Sequence, residues 1–238
     1  MNSTTTAAAT TTLTTTSKPP VADAALPLCG DLDRDPPAEP TDCKLISHDR
    51  AGYTFIVRFS GPDPVGHRNR MTITVIADGK VRQTVISTLS SIMREPPELR
   101  NLADDGRDQL VVPVDAGTGG TDYEIYRATD SAPEFVDAGE VQGLDEGRVL
   151  GMGVQRTPDG YVAAMAKSGP ADHYLAFWHF VGARLELVAE IILTYRADGS
   201  APACRADDEG PRGDSGLSDA GVAQRFCGEK TFPATPVP

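Results

Sequence analysis

In this 238-residue chain, the residues whose types and spacing suit chemistry are four histidines, four cysteines, one acidic loop and a serine in a Gly-rich turn. Ser215 lies in Gly213-Asp214-Ser215-Gly216, and His67 and Asp108 precede it, supplying a nucleophile, a base and an orienting acid. Asn101, Asp104, Asp105 and Asp108 place oxygen ligands around Gly106, just ahead of the apolar run Leu110-Val111-Val112. That is the donor set a hard cation takes, with Gly permitting the tight turn. Gly117-Thr118-Gly119-Gly120 lacks the Lys and the following helix of a phosphate cradle. His48, His173 and His179 have no nucleophile at a diagnostic spacing. The cysteines form two local pairs flanked by Pro, Gly and Asp, with spacings that match no zinc ligand set. They predict the disulfides Cys29–Cys43 and Cys204–Cys227, and with them an oxidising compartment; four buried thiols in a cytosolic protein are the alternative.

Several of these segments resemble motifs of known families. Gly213-Asp214-Ser215-Gly216 is similar to the nucleophile motif of chymotrypsin-like serine proteases, but Leu217 stands where that family has Gly, and too little chain follows Ser215 to complete a second barrel. A protease is therefore not expected. The overlapping Arg212-Gly213-Asp214 matches an integrin-binding tripeptide, which this composition produces by chance. Asn101 to Val112 resembles the calcium-loop-then-strand signature of FG-GAP repeats, also seen singly in small bacterial periplasmic proteins. The resemblance implies a blade strand and makes Asn101 and Asp105 the calcium candidates, while Ala103 and Gln109 depart from the ligand pattern. Ser168-Gly169-Pro170-Ala171-Asp172-His173-Tyr174, followed by Phe177-Trp178, resembles the Ser-Gly loop and next strand of bacterial periplasmic lysozyme inhibitors. It implies a β-rich protein whose loop residues Ser168, Asp172 and Tyr174 bind the partner; an ordinary hairpin loop is the alternative.

The elements that must position these residues show a repeat. Gly52, Gly106 and Gly160 are 54 residues apart, and each opens a β-like run: Tyr53 to Phe59, Gln109 to Val114, and Tyr161 to Ala166. A loop and a second run follow each, at Met71 to Ile76, Tyr123 to Arg127 and Tyr174 to Phe180, then a turn and a third run at Val81 to Ile86, Glu134 to Ala138 and Leu185 to Ile191. Three antiparallel meanders predict an all-β fold, a barrel or propeller-like sheets, with an extra strand within Arg148 to Gln155. Helix is scarce: Thr88 to Met93 ahead of Pro96, and Ser218 to Phe226 with an N-cap Ser and a terminating Gly228.

Residues 4 to 16 hold nine Thr, three Ala and one Leu, too little apolar surface to offset ordering entropy. We read 1–28 as a disordered Thr-rich tether, 29–199 as the β domain and 200–238 as a Cys-bracketed C-terminal extension. Such Thr-rich leaders resemble the segment behind the lipidated Cys of actinobacterial lipoproteins, although no such Cys and no signal peptide are visible in this chain. Thirty-four acidic against 22 basic side chains give a net charge of −12. That charge disfavours nucleic acid and anionic lipid and favours a basic partner. No transmembrane run is present in the sequence. The expectation is an extracytoplasmic, envelope or secreted, non-enzymatic binding module for a basic extracellular protein, an inhibitor of a lysozyme-like cell-wall hydrolase. No cofactor is expected beyond the calcium candidates. A structural envelope protein and a hydrolase with an unrecognised site are the alternatives.

Overall fold

The computed structural model describes residues 23–34, 39–62, 68–90, 95–130, 134–139, 148–151, 153–207, 213 and 215–228. Most of the 1–28 tether, His67, Arg212 and Asp214 lie outside them. Chain order begins with a single 3-10 turn, Asp23–Ala25, and the short helix α1, Cys29–Arg34. The first sheet holds β1 (Cys43–Ile46), β2 (Thr54–Pro62), β3 (Arg68–Ala77) and β4 (Lys80–Ser90) in sequence order. The second runs β5 (Glu98–Arg100), β6 (Gln109–Gly117), β7 (Gly120–Ala128) and β8 (Phe135–Asp137), and β9 (Arg148–Gly151) also pairs with β7. In the third, β10 (Val154–Arg156), β11 (Val162–Lys167), β12 (Asp172–Val181), β13 (Arg184–Thr194) and β14 (Ala203–Ala206) follow in order. Helix α2, Asp219–Phe226, follows the third sheet.

All pairings between named strands are antiparallel, and the 54-residue period is architectural: β2, β6 and β11 are each the second strand of their sheet. Gly52, Gly106 and Gly160 precede them at φ +62, +74 and +89, where an L side chain is strained. The sequence missed the short first strands β1 and β5, because three or four residues carry no readable alternation, and reached β10 only within the extra strand expected over Arg148 to Gln155. The all-β expectation holds, and among the described strands neither a barrel nor a propeller closure is confirmed.

Alternation records what each face meets. In β3, Met71, Ile73 and Val75 are buried while Thr72, Thr74 and Ile76 are half-exposed, as suits an outer sheet with one covered face. In β6 the run Leu110-Val111-Val112-Pro113-Val114 is buried throughout. Its Leu110, Val112 and Val114 join Phe55, Ile73 and Val85 of the first sheet, whereas Val111, with Tyr123 and Ile125 of β7, joins Trp178 and Val162 of the third. The middle sheet is therefore the shared wall of two cores. Burying each large side chain contributes about 1.5–3 kcal/mol.

Two sequence expectations need correction. Thr88 to Ser90 are strand, not the start of a helix: β3 offers pairing partners along the full length, and Leu89, 1% exposed, packs into the first core. The single extra strand in Arg148 to Gln155 is two strands in different sheets, broken near Gly153 at φ +123. Helix α2 starts as expected, with the Ser218 side chain accepting from the Gly221 N–H. Its Val222 and Phe226 cover the far face of the third sheet with Phe177, Ile191 and Ala206. Residues of the 200–238 segment thus add a strand and a cap to that sheet, and both expected disulfides are present, Cys29–Cys43 and Cys204–Cys227.

Candidate functional site

Each sheet has two ends. The Gly turns lie at the start of β2, β6 and β11, and the described hairpin tips at the finish of β6 and β11. At the tip end, the β6–β7 turn of the second sheet and the β11–β12 turn of the third are hydrogen-bonded together: the Lys167 N–H donates to the Gly119 carbonyl at 2.7 Å. The β11–β12 tip closes on itself. The N–H groups of Ser168 and Gly169 both donate to the Asp172 carbonyl, at 3.0 and 3.2 Å, and the Ser168 hydroxyl donates to the same oxygen at 3.2 Å. Tyr195 N–H holds the Ala171 carbonyl at 2.9 Å, and the Thr194 hydroxyl donates to Asp172 Oδ1 at 2.7 Å.

The sequence-derived binding residues are therefore divided in what they offer. Ser168 is exposed at the tip, Asp172 turns its carboxylate inward onto Thr194, and Tyr174 is half-buried in β12 opposite Ala166 and Ile192. Beneath them His173 is buried at 8% exposure, its ring 4.8 Å from that of Tyr195. Sequence reasoning missed Lys167 and Thr118, which stand exposed on the two bonded tips. Only the expectation of a hairpin could have found Lys167. Nothing in the sequence signals that the two tips meet.

At the opposite end, the Asn101–Asp108 loop joins the sheets. His48 N–H donates to Asp108 Oδ2 at 2.6 Å, and Asp108 N–H returns a bond to Asp49 Oδ2 at 3.1 Å, locking the first sheet to the second. Asp104 reaches Arg156 of the third sheet at 2.8 Å, and Asp105 takes Arg127 at 3.2 Å and the Arg107 N–H at 3.1 Å. Asn101 is exposed. Gln109, fully buried, accepts from the N–H groups of Leu102 and Ala103 and donates to the Arg107 carbonyl, so a neutral amide shapes the loop where the calcium pattern has an acid. Among the described residues no three His, Cys, Asp or Glu side chains gather as a metal-binding group.

The serine motif has a structural account. A Cβ on Gly213 would overlap the Val188 carbonyl carbon and oxygen, so glycine lets this segment rest on β13. The Ser215 hydroxyl accepts from Leu217 N–H at 3.2 Å, while Asp108 is engaged with His48 between the first two sheets. His179 lies 3.9 Å from Glu186, its cross-strand partner, with half-exposed side chains on both.

Burial sets the perturbed protonation equilibria. Tyr123 is pushed up to about 12 by burial and by nearby Glu95, to which its hydroxyl donates at 3.3 Å. Burial and then Asp207 raise Glu190 to about 7. Tyr53 is raised by burial and then by Glu134. No helix among the described residues is long and apolar enough to cross a membrane.

No protein-family pattern matches the chain, and no curated protein matches it in sequence. Among solved structures it is similar to one titled as a Xanthomonas type IV secretion system related protein, with 14% identity over 76% of this chain and 95% of that one, at a TM-score of 0.43.

Proposed function

We propose that this chain is an extracytoplasmic, non-enzymatic binding module that blocks a basic cell-wall hydrolase of the lysozyme type with its paired hairpin tips. The observation that carries the reading is the Lys167 N–H to Gly119 bond, which makes two tips from different sheets one preformed surface. A loop already closed by its own hydrogen bonds avoids an ordering cost of about 0.5–1.5 kcal/mol for each immobilised side chain. Lys167 and Ser168 stand side by side on it, both exposed. Glycosidases of this type work with two carboxyl groups about 5–10 Å apart. An ammonium at the end of a stiff hairpin is suited to pair with the ionised carboxylate and displace the sugar, while the Ser168 hydroxyl, whose proton goes to the Asp172 carbonyl, is suited to accept from the protonated acid. The two disulfides suit an oxidising compartment, and a net charge of −12 favours encounter with a cationic enzyme.

The test is turnover of a basic lysozyme on peptidoglycan, at low and moderate salt, with wild type and with Ser168→Ala, Lys167→Ala and Tyr174→Ala. Inhibition at micromolar concentration, weakened by Ser168→Ala and Lys167→Ala and fading as the screening length shrinks to about 8 Å at physiological ionic strength, supports the proposal. No inhibition by wild type removes the hydrolase as partner. Inhibition that all three variants retain removes the tips as the site.

A further inference from the structure

The last strand of the first sheet, β4, is an edge of 11 residues with no Pro, Gly or acid in it. The phase of the backbone bonding decides which of its groups are free. Ser47 N–H donates to the Tyr53 carbonyl, and in an antiparallel ladder the bonded pairs alternate from there. Carried through the registers, that alternation bonds Thr72, Thr74 and Ile76 of β3 to β2, and Met71, Ile73 and Val75 to Ser87, Val85 and Gln83 of β4. Thr84, Ile86 and Thr88 therefore direct their N–H and C=O groups away from β3, and among the described residues these groups meet no partner. The same three residues show their side chains to solvent, Ile86 at 51% exposure. Unpaired backbone groups beside exposed β-branched side chains are a template for another strand.

The other described edges offer less. β1 is bridged by Leu28; β5, β8 and β10 are three residues long; and β9 and β14 have four. In β8 the Gln83 side chain takes both backbone groups of Phe135, and in β10 Arg100 takes the Val154 carbonyl.

The strand that fits β4 is a second β4. In antiparallel pairing about a two-fold axis at Ile86, that residue meets its counterpart, and Thr84 of each copy meets Thr88 of the other, cross-strand pairs that favour a sheet. Three such pairs exchange about six backbone hydrogen bonds. Charge selects the same arrangement. Lys80 and Arg82 are the only charged residues of β4, both lie at its start, and Asp78 holds Arg82 at 3.1 Å. Antiparallel pairing sets Arg82 opposite Ser90 of the other copy and keeps the two Arg82 positions about 25 Å apart, well beyond a screening length of about 8 Å. Parallel pairing would set them side by side.

We infer that β4 is a self-association edge through which two copies of this chain join their four-stranded first sheets into one continuous sheet. The hairpin tips belong to the second and third sheets, so this dimer goes beyond the hydrolase reading and stands or falls independently of it.

The experiment is sedimentation equilibrium of the full disulfide-bonded chain from micromolar to submillimolar concentration, with amide hydrogen exchange at both ends of that range. Wild type should pass from monomer to dimer and stop there, and exchange at Thr84, Ile86 and Thr88 should slow by about tenfold once nine-tenths of the chain is paired. Ile86→Lys, which opposes two ammonium groups across the axis, should stay monomeric. So should Ile86→Pro, which deletes the central outward N–H at an edge position and spares the bonds to β3. Ile86→Val should dimerise as wild type does. A wild type that stays monomeric throughout, growth beyond a dimer, protection centred away from these three amides, or a dimer retained in Ile86→Lys each overturns the inference. The exchange pattern of the wild type decides the point even if a variant folds poorly.

Discussion

Replacing Gln109 with Leu tests whether one buried amide shapes the loop that joins the three sheets. Gln109 has no exposed surface; its Oε1 accepts from Leu102 N–H at 2.6 Å and Ala103 N–H at 3.1 Å, and its Nε2 donates to the Arg107 carbonyl at 3.0 Å. Leucine fills similar volume and makes none of these bonds. Leu102 N–H keeps a second acceptor, the Arg100 carbonyl at 3.1 Å, so two backbone groups lose their partner outright. At about 0.5–1.5 kcal/mol per lost bond, with an added cost for groups left shielded, the expected loss is about 2–4 kcal/mol. For a domain of this size that lowers Tm by about 5–15 °C. Gln109→Glu is the complementary variant. It keeps both acceptor bonds but sets a buried carboxylate against the Arg107 carbonyl, so its penalty should be large at neutral pH and shrink in acid, where the introduced carboxyl becomes a donor again. Urea unfolding at pH 7 and pH 4 measures both. A Gln109→Leu stability within about 0.5 kcal/mol of wild type, the ordinary spread of a surface change, would refute the role given to this amide.

Four further outcomes follow from the same geometry. Gly213→Ala drives a methyl group into the Val188 carbonyl and should detach the C-terminal segment from β13, read as faster proteolysis after residue 207. Glu190→Gln should stabilise the protein above neutral pH, with the gain vanishing below about pH 4.5. The raised folded-state value of about 7 means that wild-type stability is complete below the unfolded value and is lost as pH climbs from there through 7. Reducing the Cys29–Cys43 bridge, with its sequence separation of 14, should cost about 3 kcal/mol, and Cys204–Cys227, separated by 23, slightly more, checked by denaturant unfolding of the single-bridge variants. Millimolar calcium should leave the wild-type Tm unchanged, because Arg156 and Arg127 already occupy Asp104 and Asp105; an upward shift would show that the loop takes the ion instead.

The repeat was legible because each unit announces itself with a glycine at positive φ followed by an apolar run, and Gly52, Gly106 and Gly160 survive any uncertainty about strand ends. The cysteine pairs were legible from short separation alone. The first strands β1 and β5 were not, since strands of three or four residues take their structure from the longer neighbour they pair with. Thr88 to Ser90 misled for a related reason: Pro96 suggested a stopped helix, while the decisive partner, β3, lies well upstream. The acidic loop shows the deeper limit. Asp104, Asp105 and Asp108 look like ligands for one ion when read in line, yet their partners, Arg156, Arg127 and His48, are at least 20 residues away and come from other turns and strands. At the tips, Ser168 was legible as an exposed hairpin residue, whereas the inward turn of Asp172 depends on Thr194, at the far end of the next strand.

The most direct measurement of the central claim is amide hydrogen exchange of the chain with and without a basic lysozyme. The account predicts slowed exchange confined to residues 117–120 and 167–172, the two bonded tips, with the Gly-turn end unchanged by that enzyme. Protection absent from both tips, or centred on the outer face of the first sheet, would contradict it.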